Sequence, residues 1–186
     1  DSKSSEEDLI KILSSQKSTY VVTDYLEMHS HLKKIYPGAV NTVRIMVINR
    51  NCTEPKIMQT YLRVGTSKTG VTDNIAYGGI AIYVDKDSGF YDRAGLLKNH
   101  QYQSIKFHPD TGTLLEGYLP NWDIVKSGVY KIANSMPQLE YLGFDVVITE
   151  EGFKILEINI HQDIHKAHEF DKPINDFFIS KIAYKE

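Results

Sequence analysis

Two acids and a carboxamide stand at short spacing late in the chain. Gly143-Phe144-Asp145 opens a β-rich run, Glu150-Glu151-Gly152 makes a turn, and a second β-rich run ends in Glu157-Ile158-Asn159-Ile160-His161. A three-residue hairpin loop with Gly152 in the left-handed position pairs residue 149 with 153 and carries Asp145 directly opposite Glu157. Alternation then sends Phe144, Val146 and Ile148 to a largely apolar face with Lys154, Leu156, Ile158 and Ile160. Asp145, Glu157, Asn159 and His161 share the other. Opposed like charges destabilise a sheet unless a cation lies between them. Two carboxylates and an amide carbonyl are hard oxygen ligands that suit magnesium, which keeps waters and completes its octahedron with substrate phosphates. The same acids on a solvated hairpin face need no ligand, and both readings stand at this level.

Arginines add a second chemistry. Val43, Ile45 and Val47 share one face of a strand, so Arg44 projects from the other, where a guanidinium can brace a phosphate or acyl phosphate or can form a surface salt bridge. Arg63, in Tyr61-Leu62-Arg63-Val64-Gly65, invites the same two readings. Asn74 can hydrogen-bond phosphate or substrate, or cap a turn. His161, His165 and His168, with Asp163 and Glu169 nearby, have a spacing that can hold zinc or copper, although His161 reads as a strand end and solvated histidines are ordinary. His29 and His31 read as surface residues. No Gly-x-Ser-x-Gly elbow supports serine hydrolysis, and Cys52 lies in a polar loop with nothing to activate it. The 12 tyrosines read mainly as strand packing.

These groups must be held by strands and a few helices. The spacing predicts an amphipathic helix over residues 5 to 16, a strand from Tyr20 to Leu26, and a short helix or turn from Glu27 to Ile35 ending at Pro37-Gly38. Strands Thr42 to Asn49 and Ile57 to Val64 form a hairpin. Gly65 to Gly79 is a long loop without periodicity and a candidate lid. Strands Ile80 to Val84 and Phe90 to Ala94 flank an Asp85 to Gly89 turn, and His108 to Gly112 is another turn. Trp122, Val125, Val129, Ile132, Ala133 and Met136 make a helix stripe, with Asn121 as N-cap and Pro137 as the stop. The acid hairpin follows, then short helices His165 to Phe170 and Ile174 to Ala183. The fold class is α+β, an antiparallel sheet with helices packed on one side, in a single domain over residues 1–186.

A length of 186 residues with 41% hydrophobic side chains supports a real core and excludes disorder. The net charge of −3 and scattered lysines give no electrostatic footprint for nucleic acid. No apolar run approaches a membrane span, no leader is visible, and one cysteine suits a reducing compartment, so a cytoplasmic location is expected. The chain opens on Asp1 and a polar stretch, which permits a piece of a longer protein.

Taken in order, Asn41-Thr42-Val43-Arg44, Asp73-Asn74 followed by Gly78-Gly79, the His108 to Gly112 turn, Gly143-Phe144-Asp145 and Glu157-Ile158-Asn159 resemble one family. The chain is similar to the C-terminal half of an ATP-grasp enzyme, in the sugar-transfer-associated branch found with bacterial capsule and exopolysaccharide genes, from about Tyr20 to Ile160. Residues 1–18 would be a leading helix from the preceding part. The resemblance implies Asp145, Glu157 and Asn159 as magnesium ligands against an ATP triphosphate, and Arg44 as a stabiliser of transferring charge. It implies an adenine hinge at Thr23-Asp24-Tyr25-Leu26, with Asp24 and Leu26 contacting the base through backbone groups; the family's usual acid is missing near Thr23. The implied reaction is ATP-dependent phosphorylation of a carboxylate, followed by attack of an amine or thiol on the acyl phosphate. The implied substrate is a small carboxylate or a sugar-linked molecule of surface-polysaccharide assembly. No glycine-rich phosphate loop of either common spacing occurs in these residues, so weak nucleotide binding and little turnover are expected of this chain alone. The alternative is a noncatalytic module that partners a glycosyltransferase.

Overall fold

A computed structural model describes residues 5–15, 24–50, 54–98, 101–160 and 177–180. The described elements are α1 (Glu6–Ser15), α2 (Ser30–Ile35), β1 (Thr42–Arg50), β2 (Glu54–Val64), a 3-10 turn (Ile75–Tyr77), β3 (Ile80–Val84), β4 (Phe90–Lys98), β5 (Gln101–Ile105), β6 (Gly117–Tyr118), α3 (Trp122–Asn134), β7 (Tyr141–Thr149) and β8 (Gly152–Asn159). The strands form one 8-stranded sheet ordered β5-β4-β3-β2-β1-β7-β8, with β6 beside β4. Every pairing is antiparallel. Consecutive hairpins build outward from β1 to β5, and α3 then returns the chain so that β7 pairs with the free side of β1.

Alternation along the central strands divides the sheet into two unlike faces. Val43, Ile45, Val47, Leu62, Val64, Ile80, Ile82, Phe144, Val146 and Ile148 belong to the main core, with Leu32 and Ile35 of α2 and Val125, Val129 and Ala133 of α3. The α3 residues recur at helical spacing, so burying that stripe docks the helix. On the opposite face Met46, Tyr61, Ile75 and Ala81 make a smaller cluster, and Phe177 packs on Ile48. Beyond the Met46–Tyr61 cluster, toward the start of β1, the second face is charged, carrying Arg44, Arg63 and Asp145.

The structure corrects several sequence expectations. Asp24 to Leu26 forms no strand, and the remainder of the expected strand lies outside the described residues. Strand β4 runs on to Lys98, and β5 and β6 were not foreseen: Gln101–Ile105 is too polar and β6 too short for periodicity to register. Asn121 stands at the start of α3 but with φ 54° and ψ 22°, and its side chain makes no cap. Its Nδ2 donates to the Thr149 carbonyl at 2.9 Å, tying the helix to the β7–β8 turn. The helix expected from His165 to Phe170 lies outside the described residues, and of the last one only 177–180 is described, as helix.

The His108 to Gly112 turn is a clamp. His108 Nδ1 accepts from the N–H groups of Asp110 and Thr111 at 3.2 and 3.3 Å, so Nε2 carries the proton and donates to the Gly65 carbonyl at 2.9 Å. Asp110 accepts from both the N–H and the hydroxyl of Ser67, each at 2.8 Å. Thr111 and Thr113 donate to the carbonyls of Ile35 and Lys34 at the end of α2, meeting acceptors that a helix terminus leaves open. One turn thereby fixes both α2 and the entry to the long loop.

Candidate active site

Asp145 does lie opposite Glu157. The hairpin reaches that register by two compensating departures. Thr149 pairs with Gly152, so the loop is one residue shorter than expected, and a bulge between Asp145 and Val146 restores the offset by leaving Leu156 without a partner. Gly152 has φ 152°, a region open to glycine, rather than the left-handed helical conformation. Phe153 and Ile155, rather than Lys154 and Leu156, pack against the main core, and Leu156, Ile158 and Ile160 are exposed.

Register across the sheet extends the acid pair into a row. Tyr61 of β2 faces Arg44 of β1, Arg44 faces Asp145 of β7, and Asp145 faces Glu157 of β8. Asn159 follows two residues after Glu157 and lies opposite Gly143, which has no side chain to crowd it. Asn159 Nδ2 donates to Glu157 Oε1 at 2.8 Å, so its carbonyl oxygen remains available to a ligand.

Arginines neutralise the buried acid. Arg44 grips Asp145 in a bidentate pair, Nε to Oδ1 and Nη2 to Oδ2, the latter at 3.0 Å. Arg63 reaches the same Oδ2 through Nη2 at 2.9 Å. Its Nε donates to Thr42 Oγ1 at 2.9 Å and lies 3.5 Å from Asp73. Asp73 in turn accepts from the Thr42 N–H at 2.9 Å and from the Thr42 hydroxyl. Arg44, Asp73 and Asp145 are all at most 9% exposed. Two guanidiniums and two carboxylates therefore form one desolvated network, with Glu157 exposed at its rim.

Burial governs how these groups titrate. It works against the charge on Arg44, but the hydrogen bonds to Asp145 and the charges of Asp145 and Glu157 outweigh it, and the guanidinium is held above its ordinary pKa. For Asp73, burial raises the pKa, and Arg63 and Thr42 offset it only in part. Burial also drives the Tyr61 phenol up, so the group beside Arg44 is uncharged at neutral pH.

The loop reaches this network through its second half. Ile75 packs on the Tyr61–Ala81 cluster, and Asp73 enters the charge network two residues earlier. Gly79 makes the return possible: a Cβ there would stand 2.7 Å from the Asp73 carbonyl oxygen and 2.9 Å from that of Asn74. Asn74 Oδ1 accepts from the Ala76 N–H at 3.0 Å and caps the 3-10 turn, leaving its Nδ2 as a donor. Asp24 is exposed and Leu26 half-buried against the core; no hydrogen bond among the described residues links either to the row. His161, His165, His168, Asp163, Glu169 and Cys52 lie outside the described residues.

Asp73 and Thr42 are the participants that spacing did not reveal. The available signal was an acid before a Gly-Gly pair at the end of a polar loop; its partner lies 31 residues away and is brought near only by the sheet.

Among the described residues no three His, Cys, Asp or Glu side chains cluster to hold a metal by themselves. The donor set fits a hard dication in its mixed form: Glu157 and the Asn159 carbonyl stand on one face beside Asp145, whose Oδ1 keeps a further lone pair beyond its single arginine bond while Oδ2 already accepts two. No helix among the described residues is long and apolar enough to cross a membrane. No curated protein and no solved structure matches the chain. The model for sugar-transfer associated ATP-grasp domains matches residues 4–168, most of the 186-residue length, and the chain belongs to that family of ATP-binding domains.

Proposed function

We propose that this chain is the magnesium- and ATP-binding portion of a carboxylate-amine or carboxylate-thiol ligase that works through an acyl phosphate in capsular or exopolysaccharide synthesis. The observation that supports it most is the row Arg44–Asp145–Glu157 with Asn159 beside it on one sheet face. Asp145, Glu157 and Asn159 would hold the metal, which when bound neutralises phosphate charge. Arg44 and Arg63 fix the Asp145 carboxylate and place positive charge behind it; the Asn74 Nδ2 donates to phosphate or substrate. Asp24 and Leu26 offer backbone groups to adenine, and the substrate is a small carboxylate or sugar-linked molecule.

The second reading is a noncatalytic module that partners a glycosyltransferase. Supporting it, Asp145 is already neutralised by two arginines. Calorimetric titration of ATP with and without magnesium separates the two. The ligase-type reading expects magnesium-dependent binding in the unaltered chain, lost in Glu157→Ala and in Asn159→Ala with the fold intact. A chain and variants that all fail to respond to ATP point to the module.

A further inference from the structure

Away from the acid row, the described residues line an open pocket of about 240 Å³ between the entry to the long loop and strands β4 and β5. Its lining includes Thr66, Lys68, Leu96, Leu97, Lys98 and Gln103, and none of the acids or arginines of the row contributes to it. The walls are held from several sides. Ser67 is tied to Asp110 by two hydrogen bonds of 2.8 Å, and Thr66 Oγ1 donates to the Gly78 carbonyl at 3.0 Å, closing the base of the loop. Gly78, with φ 104°, lets the Lys68 stem lie close: a Cβ there would stand 3.3 Å from Lys68 Cβ and 3.5 Å from its Cδ.

The charge of this lining is opposite in sign to that of the whole chain, whose net charge is −3. Two lysines and one acid, Asp110, line it, and both Asp110 oxygens already accept from Ser67. Neither lysine forms an ion pair among the described residues, and the Gln103 amide has no hydrogen-bond partner among them. Leu96 and Pro109 supply an apolar wall beside these donors. A concave site with an apolar wall and a few convergent polar groups is the usual form of a small-molecule site. Its volume lies below the range of about 300–1,000 Å³ common for drug-sized ligands, which suits a small ligand.

We propose that this pocket binds a small organic anion, with its charged head against Lys68, Lys98 and Gln103 and a short aliphatic body on Leu96 and Pro109. Lysine offers a point charge rather than the planar fork of arginine, so a carboxylate and a phosphate monoester are both accommodated as heads. The site does not depend on the nucleotide reading, since it shares no residue with the acid row.

The test is ligand-observed NMR titration of the full chain with butyrate and with butyl phosphate, using butylamine as the cationic control, at low salt. Saturable binding of at least one anion and none of butylamine is expected, and the tighter anion identifies the head group. Lys68→Gln and Lys98→Gln should each weaken that binding about tenfold, the loss of roughly one charge-assisted hydrogen bond, with unchanged thermal unfolding. Glu157→Ala should leave it unaltered, whatever happens to ATP. Absence of saturation by either anion, or equal affinity in both lysine variants, overturns the proposal.

Discussion

Asp145 is shared by two guanidiniums in a dry part of the sheet, and the cost of disturbing it follows from what each deletion strands. Asp145→Ala leaves Arg44 and Arg63 facing one another without their common counter-ion. Removing one partner of a buried ion pair typically costs about 3–5 kcal/mol, whereas apolar replacement of both partners is often near neutral. Urea unfolding should therefore show Asp145→Leu strongly destabilised, and Arg44→Met combined with Asp145→Leu less so than the single Asp145→Leu change. Equal or additive losses would mean that the arginines do not rely on Asp145. The same network shows why opposed acids are tolerated on β7 and β8: arginine charge already stands next to one of them, and the other is exposed.

At the scale of elements, the long loop is anchored at both ends by different chemistry. Its entry rests on Ser67 and Asp110, and its exit on the close approach of Gly79 to the Asp73 and Asn74 backbone. Gly79→Ala must push that backbone away, which we expect to cost about 1–3 kcal/mol and to pull Asp73 from Thr42 and Arg63. Thermal unfolding and loss of protection at the Thr42 amide in hydrogen exchange would register both effects. At the entry, the Ser67 N–H and hydroxyl donate to the ionised form of Asp110 and hold its pKa below the ordinary 3.8. A depressed acid contributes stability that is present above 3.8 and is lost as pH falls through its lower folded value. NMR titration should place the Asp110 midpoint below 3.8 and move it upward in Ser67→Ala. An Asp110 midpoint that ignores the Ser67 change would contradict the anchor.

At the scale of the whole molecule, the division of the sheet into an apolar and a charged face was legible in the alternation of Val43, Ile45 and Val47 around Arg44, and the α3 stripe was legible in its helical period. The opposition of Asp145 and Glu157 was legible too, although through a loop one residue too long; the bulge that compensates depends on how β7 and β8 pack and leaves no local trace. The Arg63–Asp73–Asp145 links were not legible, because they join residues far apart in the chain through strand order rather than spacing. Strands β5 and β6 were missed because their polar or very short stretches carry no period.

In the proposed function Asp145, Glu157 and Asn159 act together as a magnesium site beside the nucleotide. Manganese, a paramagnetic substitute for magnesium, reports its neighbours by broadening their NMR signals. With ATP present and manganese well below the protein concentration, the Asn159 side-chain amide and the backbone amides of Asp145 and Glu157 should broaden first and recover when excess magnesium is added. Sharp signals at all three positions, with broadening confined to His161, His165 and His168 or absent altogether, would contradict it.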